Sequence, residues 1–214
     1  MTPLHYAVQY RSLAAVRLLL DSGANSDLPS GGGQTPLCDA VEYARDDNDH
    51  AIIKALLQGG ADVNRCDGDF IDRPLHVASG RGHTSTVRLL LESGADLRLR
   101  NRVGETALHA AAQGRDCAAT VSALLEAGAD PNAGNKGGNT PLHDALQRHR
   151  SPAVIQLLLD GGADARIRGW QGRTALHCAL ENRDCTATVL SALLDAGADP
   201  NARDDHGLMS LHFA

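Results

Sequence analysis

A tetrad of the form Thr-Pro-Leu-His recurs along this chain, beginning at Thr2, Thr35, Arg73, Thr106, Thr140, Thr174 and Met209. The successive intervals are 33, 38, 33, 34, 34 and 35 residues. A second landmark, Gly-Ala-Asp or Gly-Ala-Asn, begins at Gly23, Gly60, Gly94, Gly128, Gly162 and Gly197. It lies 12 residues before the next tetrad, or 13 in the case of Gly60. Self-similarity at such a period calls for a stack of small units, each covering the apolar face of its neighbour.

The residue types in the repeat state its local structure. Thr suits a helix N-cap, where its hydroxyl accepts from an orphan N–H. Pro suits the position that follows, where its missing donor costs nothing. Runs such as Val16-Arg17-Leu18-Leu19-Leu20 and Val87-Arg88-Leu89-Leu90-Leu91 mark a second helix with one apolar stripe. The landmark Gly then ends that helix in a left-handed conformation, and the Asp-, Asn- and Gly-rich stretch beyond it has turn chemistry. Aromatic residues make up 3% of the chain against 43% hydrophobic overall, which suits thin layers of short helices.

These motifs resemble the ankyrin repeat, read here as Gly104-Glu105-Thr106-Ala107-Leu108-His109-Ala110-Ala111 and again as Gly138-Asn139-Thr140-Pro141-Leu142-His143-Asp144-Ala145. The resemblance runs over the whole chain. It implies an all-α solenoid of helix-turn-helix units joined by β-hairpin-like loops. We read one domain over 1–214, with repeats starting near 2, 35, 73, 106, 140 and 174 and a truncated seventh from about 209. Its interrupted apolar face is the expectation of a segment from a longer array.

Repeat two departs from the pattern. Four additional residues fall within Arg45-Asp46-Asp47-Asn48-Asp49-His50, expected as a solvated acidic loop between the two helices. Cys38 stands where His is expected, the hairpin through Cys66 to Asp72 is one residue longer, and Arg73 replaces the capping Thr. A weaker junction between repeats two and three follows. Repeats four and six match closely, with Arg115-Asp116-Cys117 and Arg183-Asp184-Cys185 at the same offset and Arg98-Leu99-Arg100 and Arg166-Ile167-Arg168 leading them. This pattern is that of a duplicated two-repeat unit.

Catalysis is not expected. The resemblance makes the tetrad histidines His5, His76, His109, His143, His177 and His212 structural, each bonding near its helix start and steadying the adjacent hairpin. They recur one per repeat, so no two should meet on one metal, and His83 between two helices is read the same way. Asp67, Asp69 and Asp72 lack the later Glu of a calcium loop, and Gly31-Gly32-Gly33 reads as a turn. The five cysteines show no metal-ligand spacing, and the matching places of Cys117 and Cys185 argue for packing. No metal site, cofactor or nucleophile–base set is assembled.

No apolar run is long enough for a membrane helix, and the N-terminus has no secretory pattern, so a cytoplasmic or nuclear, monomeric protein is expected. A net charge of -6 argues against a general nucleic-acid binder.

What fold stability leaves free is the surface of hairpin tips and first helices. Trp170, the chain's one Trp, falls at a tip, and Trp and Arg are the types enriched at binding hot spots. Arg100, Arg102, Arg168 and Arg173 share its edge and Lys136 lies between. Gln113 and Arg148, from the first helices, complete the candidate set. The expectation is a protein-interaction scaffold gripping an acidic or amphipathic segment of another protein. A structural spacer within a larger protein, and an anion-binding comb, are the alternatives.

Overall fold

The computed structural model describes residues 1–44, 46–65, 72–148, 151–181 and 185–210. Cys66, Asp67, Asp69, Arg183, Asp184 and His212 lie outside the described residues, and with them most of the irregular hairpin and the last tetrad.

Among the described residues, twelve α-helices form two rows. The first helices of the repeats are α1 (Pro3–Gln9), α3 (Pro36–Glu42), α5 (Pro74–Gly80), α7 (Ala107–Gln113), α9 (Pro141–Gln147) and α11 (Ala175–Glu181). The second helices are α2 (Leu13–Asp21), α4 (Asp47–Gln58), α6 (Thr84–Glu92), α8 (Ala118–Glu126), α10 (Pro152–Asp160) and α12 (Ala187–Asp195). Each first helix packs on the second helix of its own repeat and on the first helix of the next. The core runs between the rows as one continuous cluster, with Leu56, Leu90, Leu124, Leu158 and Leu193 fully buried on successive layers. A buried Leu contributes about 1.5–3 kcal/mol in such a site.

The caps form as the repeat requires. Thr2 and Thr35 accept from the N–H groups of His5 and Cys38, and the landmark glycines 23, 60, 94, 128, 162 and 197 all have φ between 83° and 92°. A side chain is strained there, which is why Gly recurs. The loops that follow are hairpin-like turns: among the described residues there is one isolated bridge, Arg203–Met209, and no strand. Their necks are closed by pairs such as Asn101 N–H to the Glu105 carbonyl, 2.8 Å, and Asn135 N–H to the Asn139 carbonyl, 2.9 Å. Asparagine side chains link neighbouring turns. Asn64 accepts from Asp96 N–H at 2.9 Å, and Asn132 from Asp164 N–H at 2.8 Å.

The acidic stretch of repeat two is not a solvated loop. Asp46 caps α4, accepting from Asn48 and Asp49 N–H at 3.1 and 3.2 Å, and the additional residues lengthen α4 to 12 residues against 9 in α2 and α6. Carboxylates at a helix N-terminus meet its free N–H groups and positive end, so acidity here starts a helix. Asp49 is buried and accepts from Arg11 at 2.8 and 3.1 Å; Arg11 also pairs with Asp46. The irregularity does loosen one junction. Helices α4 and α6 are the one successive pair of second helices, among the described residues, that do not pack closely. A cavity of about 700 Å³ lined by Ala44, Asp46, His50 and residues Gly82 to Thr86 lies there.

Candidate functional site

The tetrad histidines bind the stack to itself. His109 Nδ1 accepts from Thr106 N–H at 3.1 Å and lies 2.9 Å from its hydroxyl, while Nε2 is 3.0 Å from the Asn139 carbonyl in the next turn. His5, His143 and His177 repeat this geometry on Gln34, Arg173 and Leu208. A backbone N–H can only donate, so Nδ1 is the unprotonated nitrogen and Nε2 carries the hydrogen. Burial holds the imidazoles of His76, His109 and His143 below their usual range. These rings are neutral clamps between repeats, as the resemblance implied. Cys38 takes the same place in repeat two, with Sγ 3.7 Å from the Arg65 carbonyl.

The candidate binding residues divide into two groups. Arg102, Lys136 and Trp170 occupy equivalent places at three successive turn tips, and all are exposed. Their backbones are tied together: Lys136 N–H donates to the Val103 carbonyl at 3.0 Å, and Trp170 N–H to Asn139 Oδ1 at 2.8 Å. The Trp170 ring lies against Gly137, so close that a Cβ there would stand 3.3 Å from Cε3, yet the residue stays 60% exposed. Arg148 is also exposed, at the end of α9.

Arg100, Arg168, Arg173 and Gln113 make hydrogen bonds or ion pairs within the fold. Arg100 donates to the carbonyls of Gly104, at 2.8 Å, and of Gly134 in the next turn. Arg168 does the same toward Arg203 and adds Asp205, at 2.8 and 2.9 Å. Arg173 is half-buried and pairs with Glu181 at 2.6 Å. Gln113 donates to Glu105 at 2.7 Å and to Asp144 at 3.0 Å. Cys117, as expected of a packing residue, is fully buried, its Sγ 3.5 Å from the Ser79 carbonyl; Cys185 is partly exposed.

Two features of this surface were missed in the sequence. Between the tips and the first helices runs an acidic floor of Glu42, Asp72, Glu105 and Asp144; the first three, with Arg81, line a cavity of about 330 Å³. Burial raises the Asp144 carboxyl to about 6, opposed by the Gln113 hydrogen bond. Further toward the N-terminus, Tyr10 and Tyr43 are 77% and 59% exposed at matching ends of α1 and α3. The signal was the column: Tyr10, Tyr43, Arg81 and Arg148 each lie eight residues after their tetrad starts. Among the described residues no helix is long and apolar enough to cross a membrane, and no His, Cys, Asp and Glu group forms a metal site.

Comparison with known proteins agrees with this geometry. A family model for ankyrin repeats matches three times, over residues 1–67, 43–135 and 116–204. The ankyrin repeat domain of Bcl-3, described as a unique member of the IkappaB protein family, superposes with a TM-score of 0.84 at 33% identity. That superposition covers 100% of this chain and 94% of that one. The human ASB11 ankyrin repeat domain gives 0.84 at 28%, covering 100% and 92%. Among curated relatives, ankyrin repeat and SOCS box protein 16 of Homo sapiens is 38% identical over 110 residues, 50% of this chain and 23% of that protein. Palmitoyltransferase Hip14 of Drosophila melanogaster is 36% identical over 103 residues, 48% of this chain and 16% of that protein. The matched segments thus span less than a quarter of either relative.

Proposed function

The chain belongs to the ankyrin-repeat family, and on that premise we propose that it is a non-catalytic protein-interaction scaffold. It grips an amphipathic segment of another protein across the tips of repeats four to six. The observation that carries this reading is Trp170, which stays 60% exposed although its ring lies against Gly137. A large aromatic left in water in the row of tips that carries Lys136 and Arg102 is the composition of a hot spot. In this reading Trp170 is the apolar anchor, Arg102, Lys136 and Arg148 meet acidic groups of the partner, and Arg100, Arg168, Arg173 and Gln113 keep the turns in register. The chain acts as a monomer in the cytoplasm or nucleus. Its buried thiols Cys38, Cys117 and Cys178 suit a reducing compartment.

The test is capture from lysate by the wild-type chain and by Trp170→Ala and Arg102→Glu/Lys136→Glu variants. We expect both variants to lose the partner with an unchanged Tm. Capture that survives both removes the tip row as the site.

A second reading is a regulatory or spacer array inside a larger protein. It is favoured by the small share, 16% and 23%, that the matched segments occupy in the two curated relatives.

A further inference from the structure

Asp39 and Asp144 occupy the same place in repeats two and five, four residues after Thr35 and Thr140. Both are buried, at 9% and 6% exposure. Their surroundings differ. Asp144 receives the amide of Gln113, from the preceding repeat, at 3.0 Å. Gln9 is the matching amide for Asp39, yet among the described residues no hydrogen bond reaches the Asp39 carboxylate. Instead Asp39 lines a cavity of about 550 Å³ between α1 and α3, together with Gln9, Gln34, Val8, Ile52 and Tyr43. The one arginine on this lining, Arg11, is held by Asp46 and Asp49.

The Asp39 carboxylate keeps contact with water in this cavity, and an occupant that displaces that water must replace its solvation with an opposite charge. We propose that this cavity receives an arginine side chain of the bound partner segment, with Asp39 as counter-ion. Val8 and Ile52 offer an apolar wall for the methylene stem, and the exposed Tyr43 ring offers its face to the guanidinium. On and beside the lining, Arg11 is already paired with Asp46 and Asp49, and the charges that act on Asp39 are those of His5 and the terminal ammonium of Met1. Burial already pushes the Asp39 carboxyl up, opposed by His5 and the terminal ammonium, so a permanent guanidinium is the partner that restores its charge.

The inference rests on the scaffold reading but is tested without the partner. The whole chain is titrated with N-acetyl-arginine amide and, in parallel, N-acetyl-norleucine amide, followed by NMR at Tyr43, Gln9 and Asp39. We expect saturable millimolar binding of the arginine amide. It should weaken by about 10-fold both for the norleucine amide and in Asp39→Asn at unchanged Tm. Equal binding of the two amides, equal binding to Asp39→Asn, or no saturable shift overturns the subsite. Those results leave capture through Trp170 standing, whereas loss of the tip row as a site leaves arginine amide binding standing.

Discussion

Arg73 stands where four histidine-bearing repeats have a threonine, and three residues later His76 has a buried Nδ1 without a partner. The far side of that ring is normal, with Nε2 3.0 Å from the Glu105 carbonyl. A buried acceptor left unmade costs about 1–3 kcal/mol. Arg73→Thr should supply both the cap and the hydroxyl and raise stability by about 1 kcal/mol. Urea unfolding measures it, and a fall in the midpoint would mean that the Arg73 bond to the Asn64 carbonyl outweighs them.

Asp144 gives a pH signature. Its carboxyl is raised to about 6 in the fold, against about 3.9 in an unfolded chain. The folded state therefore binds the proton more tightly, and stability is lost as pH rises between about 4 and 6. Asp144→Asn should be more stable than wild type by about 1–3 kcal/mol at pH 7.5 and equal to it near pH 4. Paired urea titrations at the two pH values check this, and a difference independent of pH would refute the assignment.

The histidine clamps act in the opposite sense. Burial lowers His76, His109 and His143, so the folded state resists their protonation. Their contribution is complete above about pH 6.5 and lost as pH falls below it. With three such rings, the unfolding midpoint should drop between pH 7 and pH 5 despite the gain at Asp144. Imidazole ¹⁵N shifts should report the Nε2–H tautomer for His5, His109, His143 and His177 at neutral pH.

Gly137→Ala places a methyl 3.3 Å from Trp170 Cε3. The ring must shift, and since it is exposed the change in stability should stay within about 0.5 kcal/mol. Tryptophan fluorescence should change, and partner capture should weaken with it.

Periodicity made most of the fold legible. The phase of Thr, Pro, Gly and His follows from chemistry local to one or two turns of chain. What escaped were contacts that pass from one repeat to the next. Gln113 meets Asp144 from 31 residues away, a pairing visible only once the stack exists. Arg100 and Arg102 looked alike in sequence, but two positions separate a side chain that caps backbone carbonyls from one placed at a tip. The acidic run before α4 was read as polar and therefore loose. Its first carboxylate, Asp46, meets the orphan donors of a helix start, and a count of charges does not show that.

The loose seam between α4 and α6 has a mechanical meaning. Force along a solenoid passes through every junction in series, so the most compliant junction sets the stiffness of the whole. Here the first helices α3 and α5, the Arg81–Glu42 pair and the Asn64 link continue across the gap, while the second-helix row does not. Such a joint opens on one side only. Bending at that seam would change the angle between the tyrosine-bearing end and the tryptophan-bearing end without unfolding either, like a spine with one widened disc.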